Sequence, residues 1–139
     1  PRYVSWSRQN RSQLVRIPMV KGDNCRMELR SPDPACNPYL AIGLVLAAGL
    51  DGIEHRMVLQ APINKNLFDP TEAAGLGLER LPSTLEEAVQ AAQESEFLHR
   101  VLPEELSHRY YEEELKRCAA LKAAADPAEY ERVHYFNAI

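Results

Sequence analysis

Residues 25–30 read Cys25-Arg26-Met27-Glu28-Leu29-Arg30, a strict alternation of apolar and charged side chains. A period of two is the signature of a strand: Cys25, Met27 and Leu29 take one face, and Arg26, Glu28 and Arg30 take the other. Upstream, Leu14-Val15-Arg16-Ile17-Pro18 reads as another strand, ended by Pro18. Lys21-Gly22-Asp23-Asn24 between them has turn composition. The two segments pair as a hairpin or lie as neighbours in a larger sheet. Two strands make a marginal sheet alone. The ribbon is therefore expected to belong to a larger sheet, with its other strands upstream in a longer chain.

Downstream, the Ser31-Pro32-Asp33-Pro34 link is extended or turning, because each proline restricts the residue before it. Asn37 is an N-cap with Pro38 at the first helical position. The helix it opens runs to about Glu54 and is apolar nearly all round, which predicts a buried helix over 37–54. Gly43 and Gly49 read as points of close packing. Residues 55–82 are loop-rich, a length that is usually functional or mobile. Ser83 with Glu86 reads as a capping box. Helices are expected from there to the end: an inner face of Leu85, Ala88, Val89 and Ala92, then a longer helix over about 103–125. Its apolar arc is Leu106, Tyr110, Tyr111, Leu115, Cys118 and Leu121, with Glu114 intruding, and Glu112–Lys116 and Glu113–Arg117 are spaced to pair outside. Asp126-Pro127 with Glu129 starts a last helix. The fold class is α+β: a partial antiparallel sheet, with strands near 14–18 and 25–30, and a mainly helical C-terminal region.

Charge is unevenly placed. The 139 residues carry 16 Lys+Arg and 20 Asp+Glu, net -4. Residues 1–30 hold seven basic groups, six of them arginine, against only Asp23 and Glu28. The acidic remainder, with only Tyr3 and Trp6 interleaving the basic stretch, argues against a nucleic-acid binder. The longest apolar run, Tyr39 to Leu50, is too short to span a bilayer. Cys25, Cys36 and Cys118 form no metal-binding spacing, and their odd number fits reduced thiols in the cytoplasm. Cys25 and Cys36 read as core residues, and Trp6 as a packing residue.

Arg26, Glu28 and Arg30 on one strand face admit two readings. One is a cross-strand ion-pair ladder. The other is a site where Glu28 holds a divalent cation and the arginines hold phosphate oxygens, since Mg²⁺ takes few protein carboxylates and leans on substrate phosphates. Spacing alone favours the ladder.

The order of motifs shifts that balance. Asn10-Arg11-Ser12, Val15-Arg16-Ile17-Pro18, Arg26-Met27-Glu28-Leu29-Arg30, Pro32-Asp33-Pro34, Asn37-Pro38-Tyr39-Leu40, Ala48-Gly49-Leu50-Asp51-Gly52-Ile53 and Asn64-Lys65-Asn66-Leu67 together closely resemble the C-terminal part of the glutamine synthetase catalytic domain. The strong resemblance covers residues 5–70, and the tail fits more loosely. It implies that residues 1–139 are the C-terminal portion of such a domain: 1–36 active-site strands and loops, 37–54 a buried helix, 55–82 loops, 83–139 a helical tail. It implies an ATP-dependent ligase joining glutamate and ammonia through a γ-glutamyl phosphate, with ATP and Mg²⁺ or Mn²⁺ as cofactors. By the same resemblance Glu28 is a metal ligand, Arg11 and Arg16 contact ATP phosphates and the transferring phosphoryl group, Arg26 is a nucleotide-side contact, and Arg30 faces the γ-carboxylate or phosphoryl group.

The resemblance further implies a cytoplasmic homo-oligomer of two rings, with Tyr135, Phe136 and Ile139 placed to serve assembly or simply to dock the last helix on its own core. The remaining metal ligands are expected upstream, so these residues alone are expected to be inactive. His55, His99, His108 and His134 match no motif and read as surface or packing residues. Some bacterial members are adenylylated on a tyrosine where this chain has Phe68, so that switch cannot operate there. The alternatives are a γ-glutamyl ligase using another amine, and a non-catalytic helical interaction or anion-binding module.

Overall fold

The computed structural model describes residues 1–136. They divide into two compact units, Pro1–Leu81 and Pro82 onward.

The first unit carries a three-stranded sheet: β1 (Trp6–Ser7), β2 (Val15–Arg16) and β3 (Glu28–Leu29), in that order. β2 and β3 run antiparallel, with Val15 opposite Leu29 and Arg16 opposite Glu28. This is the ribbon the alternation predicts, although the regular pairing is shorter than the expected 14–18 and 25–30. β1 adds a parallel neighbour on the far side of β2. The sheet is therefore mixed. Segment 55–82 returns to the sheet as a strap: Ile63 N–H donates to the Trp6 carbonyl at 2.8 Å, and Val4 N–H to the Glu79 carbonyl at 2.9 Å. Trp6 is held as a packing residue, its indole N–H donating to the Gln60 carbonyl at 2.6 Å. The strap includes one short helix, α2 (Pro70–Ala73), and places Leu67 and Ala73 among the few buried apolar residues.

Helix α1 spans Pro38–Glu54, with the Asn37 side chain accepting from the N–H groups of Tyr39 and Leu40. The cap and both ends agree with the sequence. Burial does not: no residue of α1 is buried, and Tyr39 is 87 % exposed. Gly43 and Gly49 have open space where a Cβ would stand. A helix apolar on every side needs neighbours on every side, and residues 1–136 do not supply them. Cys25 is likewise exposed and Cys36 intermediate, so the core reading of Cys25 is corrected. Asp33 turns the proline-rich link by accepting from Ala35 N–H at 2.7 Å.

The end of α1 is a full Schellman closure. Met57 N–H donates to the Gly52 carbonyl and Arg56 N–H to the Ile53 carbonyl. Arg56 occupies the left-handed position with φ 49°. A side chain there meets the following carbonyl, a cost that glycine avoids. Arg56→Gly is expected to raise stability by about 1 kcal/mol, read as a higher urea midpoint.

The second unit is helical: α3 (Leu85–Gln93), α4 (Glu96–Val101), α5 (Glu104–Ala123) and α6 (Pro127–Glu131), closed by a π-helical turn at Arg132–Phe136. Thr84, not Ser83, caps α3, accepting from Glu87 N–H at 3.1 Å, while the Glu87 carboxylate accepts from the Ser83 N–H and hydroxyl. The box is thus displaced by one residue. α5 is rotated from the expected arc: Ser107 and Glu114 are buried, whereas Leu106 and Tyr110 are exposed. Lys116 pairs with Glu113 and Arg117 with Glu114, at i,i+3 in place of the expected i,i+4 partners, while Arg109 pairs with Glu105 at i,i+4 on the same helix. The Glu114–Arg117 contact, at 3.2 Å, is how a carboxylate is tolerated inside the unit. Asp126 caps α6 as predicted. Tyr135 is half-buried within its own unit. The Phe136 side chain and Ile139 lie outside the described residues. No helix among the described residues is long and apolar enough to cross a membrane.

Candidate active site

The β2–β3 register decides which charged groups meet. With Arg16 opposite Glu28, and Arg26 and Arg30 two residues either side of Glu28, one carboxylate faces three guanidinium groups. Arg16 Nη1 donates to both oxygens of Glu28, at 2.8 and 3.0 Å. Arg26 Nη2 lies 3.2 Å from Oε1, and Arg30 Nη1 lies 3.8 Å from Oε2. The side chains of Arg16 and Glu28 are 17 % and 25 % exposed, so the centre of the group is half-buried while Arg26 opens to solvent.

Backbone carbonyls orient the arginines. Arg16 Nε donates to the Gln9 carbonyl at 3.2 Å, Arg26 Nη1 to the Asn24 carbonyl at 3.2 Å, and Arg30 Nε to the Arg11 carbonyl at 3.1 Å. Each fork thus uses part of its donor set to fix its plane and keeps other N–H groups for an anion. Four of the five site residues named from the sequence are brought together. Arg11 joins them through its carbonyl, with its own residue exposed. A cavity of 540 Å³ is lined by Arg8, Gln9, Asn10, Met19, Pro62 and Asn64, and Gln9 links it to the group through the carbonyl that Arg16 holds.

The Glu28 carboxyl is held below the ordinary carboxylate range, first by the hydrogen bond from Arg16, against the opposing effect of burial, and further by Arg26. Its folded value lies below its unfolded one. The stabilisation is therefore present above the ordinary carboxylate range and is lost as pH falls through the lowered value. Urea midpoints of the wild type and Glu28→Gln should differ at neutral pH and converge on acidification.

The histidines stay outside this group. His55 closes α1, with Nδ1 2.9 Å from the Asp51 carbonyl, and His134 stacks on Tyr130 at 3.9 Å. Among the described residues no three His, Cys, Asp or Glu side chains are grouped to hold a metal ion. Gln13 was not singled out from the sequence, and Ser12 only within the motif Asn10-Arg11-Ser12, yet both are fully buried beside Arg11. The signal available was their place between Arg11 and strand β2, where an apolar pair would be ordinary.

The net charge of the group is positive, and its free donors suit a multiply charged oxyanion. Comparison with known proteins gives the same region a family. The profile described as "Glutamine synthetase, catalytic domain" matches residues 1–133. Glutamine synthetase of Methanosarcina mazei is 42 % identical over 134 residues, covering 95 % of this chain and 30 % of the relative. That of Methanococcus voltae is 33 % identical with the same coverage, and that of Staphylococcus aureus is 39 % identical over 112 residues. Among solved structures, a GmaS/ADP complex superposes with a TM-score of 0.77 at 32 % identity, over 99 % of this chain and 30 % of that one. The chain thus spans about 30 % of the length of the first two of these relatives. With its ordered motifs, its small sheet and helical remainder, and a profile match from end to nearly end, the chain belongs to the glutamine synthetase catalytic-domain family.

Proposed function

We propose that the protein is part of an ATP-dependent glutamate–ammonia ligase, and that residues 1–36 supply its phosphate-binding arginines and one metal-binding glutamate. The observation that carries this reading is the lone carboxylate of Glu28 ringed by Arg16, Arg26 and Arg30 on a ribbon matching the family. The nucleotide finds support in the similar solved structure, which is a complex with ADP.

In this reaction the γ-carboxylate of glutamate attacks the terminal phosphoryl group of ATP and displaces ADP as the bridging P–O bond breaks. The acyl phosphate formed is opened by ammonia, which releases phosphate. Carboxylate and triphosphate repel each other, and cationic groups must offset that repulsion as the bond is made. Arg11 and Arg16 bind phosphate oxygens, Arg26 steadies the nucleotide side, and Arg30 faces the phosphoryl group in transfer. The donor set fits a cation that arrives with phosphate. One carboxylate among three arginines would repel a bare Mg²⁺, but it serves as a single ligand when phosphate oxygens and water complete the shell. Such an ion, held by Glu28, would supply polarisation of the phosphoryl group and screening of its charge.

The same reading carries a cytoplasmic, homo-oligomeric enzyme of two rings, without nucleic-acid or membrane partners. It also carries no adenylylation at Phe68, which stands 60 % exposed without a hydroxyl. The test is product analysis with the full-length protein, ATP, Mg²⁺, glutamate and ammonia. Glutamine, ADP and phosphate should form in equal amounts. Turnover only when methylamine replaces ammonia would move the assignment to the ligase using another amine, and no ATP-dependent product would overturn it.

A further inference from the structure

The interior beside the candidate site is polar. Ser7, Ser12 and Gln13 are the largest fully buried side chains among the described residues. Gln13 Nε2 donates to the Lys65 carbonyl at 2.9 Å, and Asn10 Nδ2 donates to the same oxygen at 2.7 Å. Two donors saturate the lone pairs of one carbonyl. The Ser12 hydroxyl stands 3.4 Å from it and accepts from Leu67 N–H at 2.9 Å. Asn10 Oδ1 in turn accepts from the N–H and hydroxyl of Ser12, each at 2.8 Å. Arg11 sits in the middle of this clamp, and its own carbonyl is held by Arg30.

Gln13 is the informative member. Its Oε1 is buried and has no partner among the described residues. An apolar side chain of the same length would lose two hydrogen bonds, the one to Lys65 and a longer one to the Ser12 hydroxyl at 3.3 Å, and remove one orphaned acceptor, effects of opposite sign on stability. Little net stability is therefore invested in the amide, and its directional bond to Lys65 is what distinguishes it.

We propose that Gln13 is a positioning residue: with Asn10 and Ser12 it locks the Lys65 carbonyl, and so sets the backbone of Arg11 against segment 60–67 with the Arg11 side chain at the phosphate site. This rests on the nucleotide reading above. Displacing a supporting group by about 1 Å is enough to weaken a site substantially without unfolding it.

The test uses the full-length protein and Gln13→Met, with Gln13→Ala as a second variant should the first not fold. Three quantities are read: hydrogen exchange in segment 60–67, ADP–Mg²⁺ affinity by calorimetry, and KM for ATP against kcat. The expected result is faster exchange, ADP affinity and KM weakened by about tenfold, and an unchanged melting temperature. Faster exchange with unaltered affinity would make the clamp purely structural and overturn the proposal. So would unaltered exchange. A wild type that binds ADP but makes no amide product sinks the ligase reading alone and leaves the affinity test in force; one that binds no ADP sinks both.

Discussion

Glu28→Ala in the full-length protein is expected to lower turnover by at least about a hundredfold while leaving the fold in place. Glu28 is the only acid in its group and the common partner of Arg16, Arg26 and Arg30. Without it the three guanidinium groups repel one another, and on the ligase reading no carboxylate remains to hold a cation beside the phosphates. The residue is only half-buried, so the effect on stability is small, as for other accessible ion pairs. Glu28→Gln keeps the shape and one acceptor but loses the charge. It should be nearly as damaged as the alanine variant, which identifies charge and ligation as the cause. Steady-state kinetics with a matched thermal melt checks this. A near-normal kcat in either variant would remove Glu28 from the chemistry.

Arg30→Lys should be almost as costly, again about a hundredfold or more in kcat, although charge is conserved. Arg30 does two things with one rigid fork: Nε donates to the Arg11 carbonyl at 3.1 Å, and Nη1 faces Glu28 at 3.8 Å. A lysine ammonium is a single point on a flexible stem. It can approach one of those positions, and it cannot hold a planar pair of donors at both. The KM for ATP should rise along with the fall in kcat, because the anchor on Arg11 is lost together with the planar fork proposed to face the phosphoryl group. Retention of full activity by the lysine variant would show that only charge matters at this position.

The parts of the fold that were legible in the sequence are those written in local chemistry. Asn37-Pro38 declared the start of α1 because an amide cap and a proline without N–H satisfy a helix entrance by themselves. The alternation from Cys25 to Arg30 placed Arg26, Glu28 and Arg30 on one face, and the structure has them there. Strand β1 was missed because it is two residues long and its pairing depends on partners supplied by β2. The rotation of α5 was missed for a related reason: Ser107 and Glu114 point inward only because the rest of the second unit meets them. The clamp at Lys65 was also invisible. It converges on a backbone carbonyl 52 residues from Gln13, and a carbonyl has no letter in a sequence. The end of α1 near Glu54 was legible, but not the form of its closure, because Arg56 takes the left-handed position that glycine usually fills.

The crowding of three guanidinium groups on one carboxylate has a thermodynamic corollary. On the ligase reading proposed above, Glu28 stands in for the anion that the arginines would bind, and the arginines stand in for the cation that Glu28 would bind. Each internal partner must be surrendered when its external counterpart arrives, and each surrender leaves the other half of the group unsatisfied. Occupancy of one half therefore raises the affinity of the other, and by reciprocity the reverse holds. On that reading nucleotide and divalent ion are coupled as a pair, because the ion alone meets a group of net positive charge whose one carboxylate is already engaged.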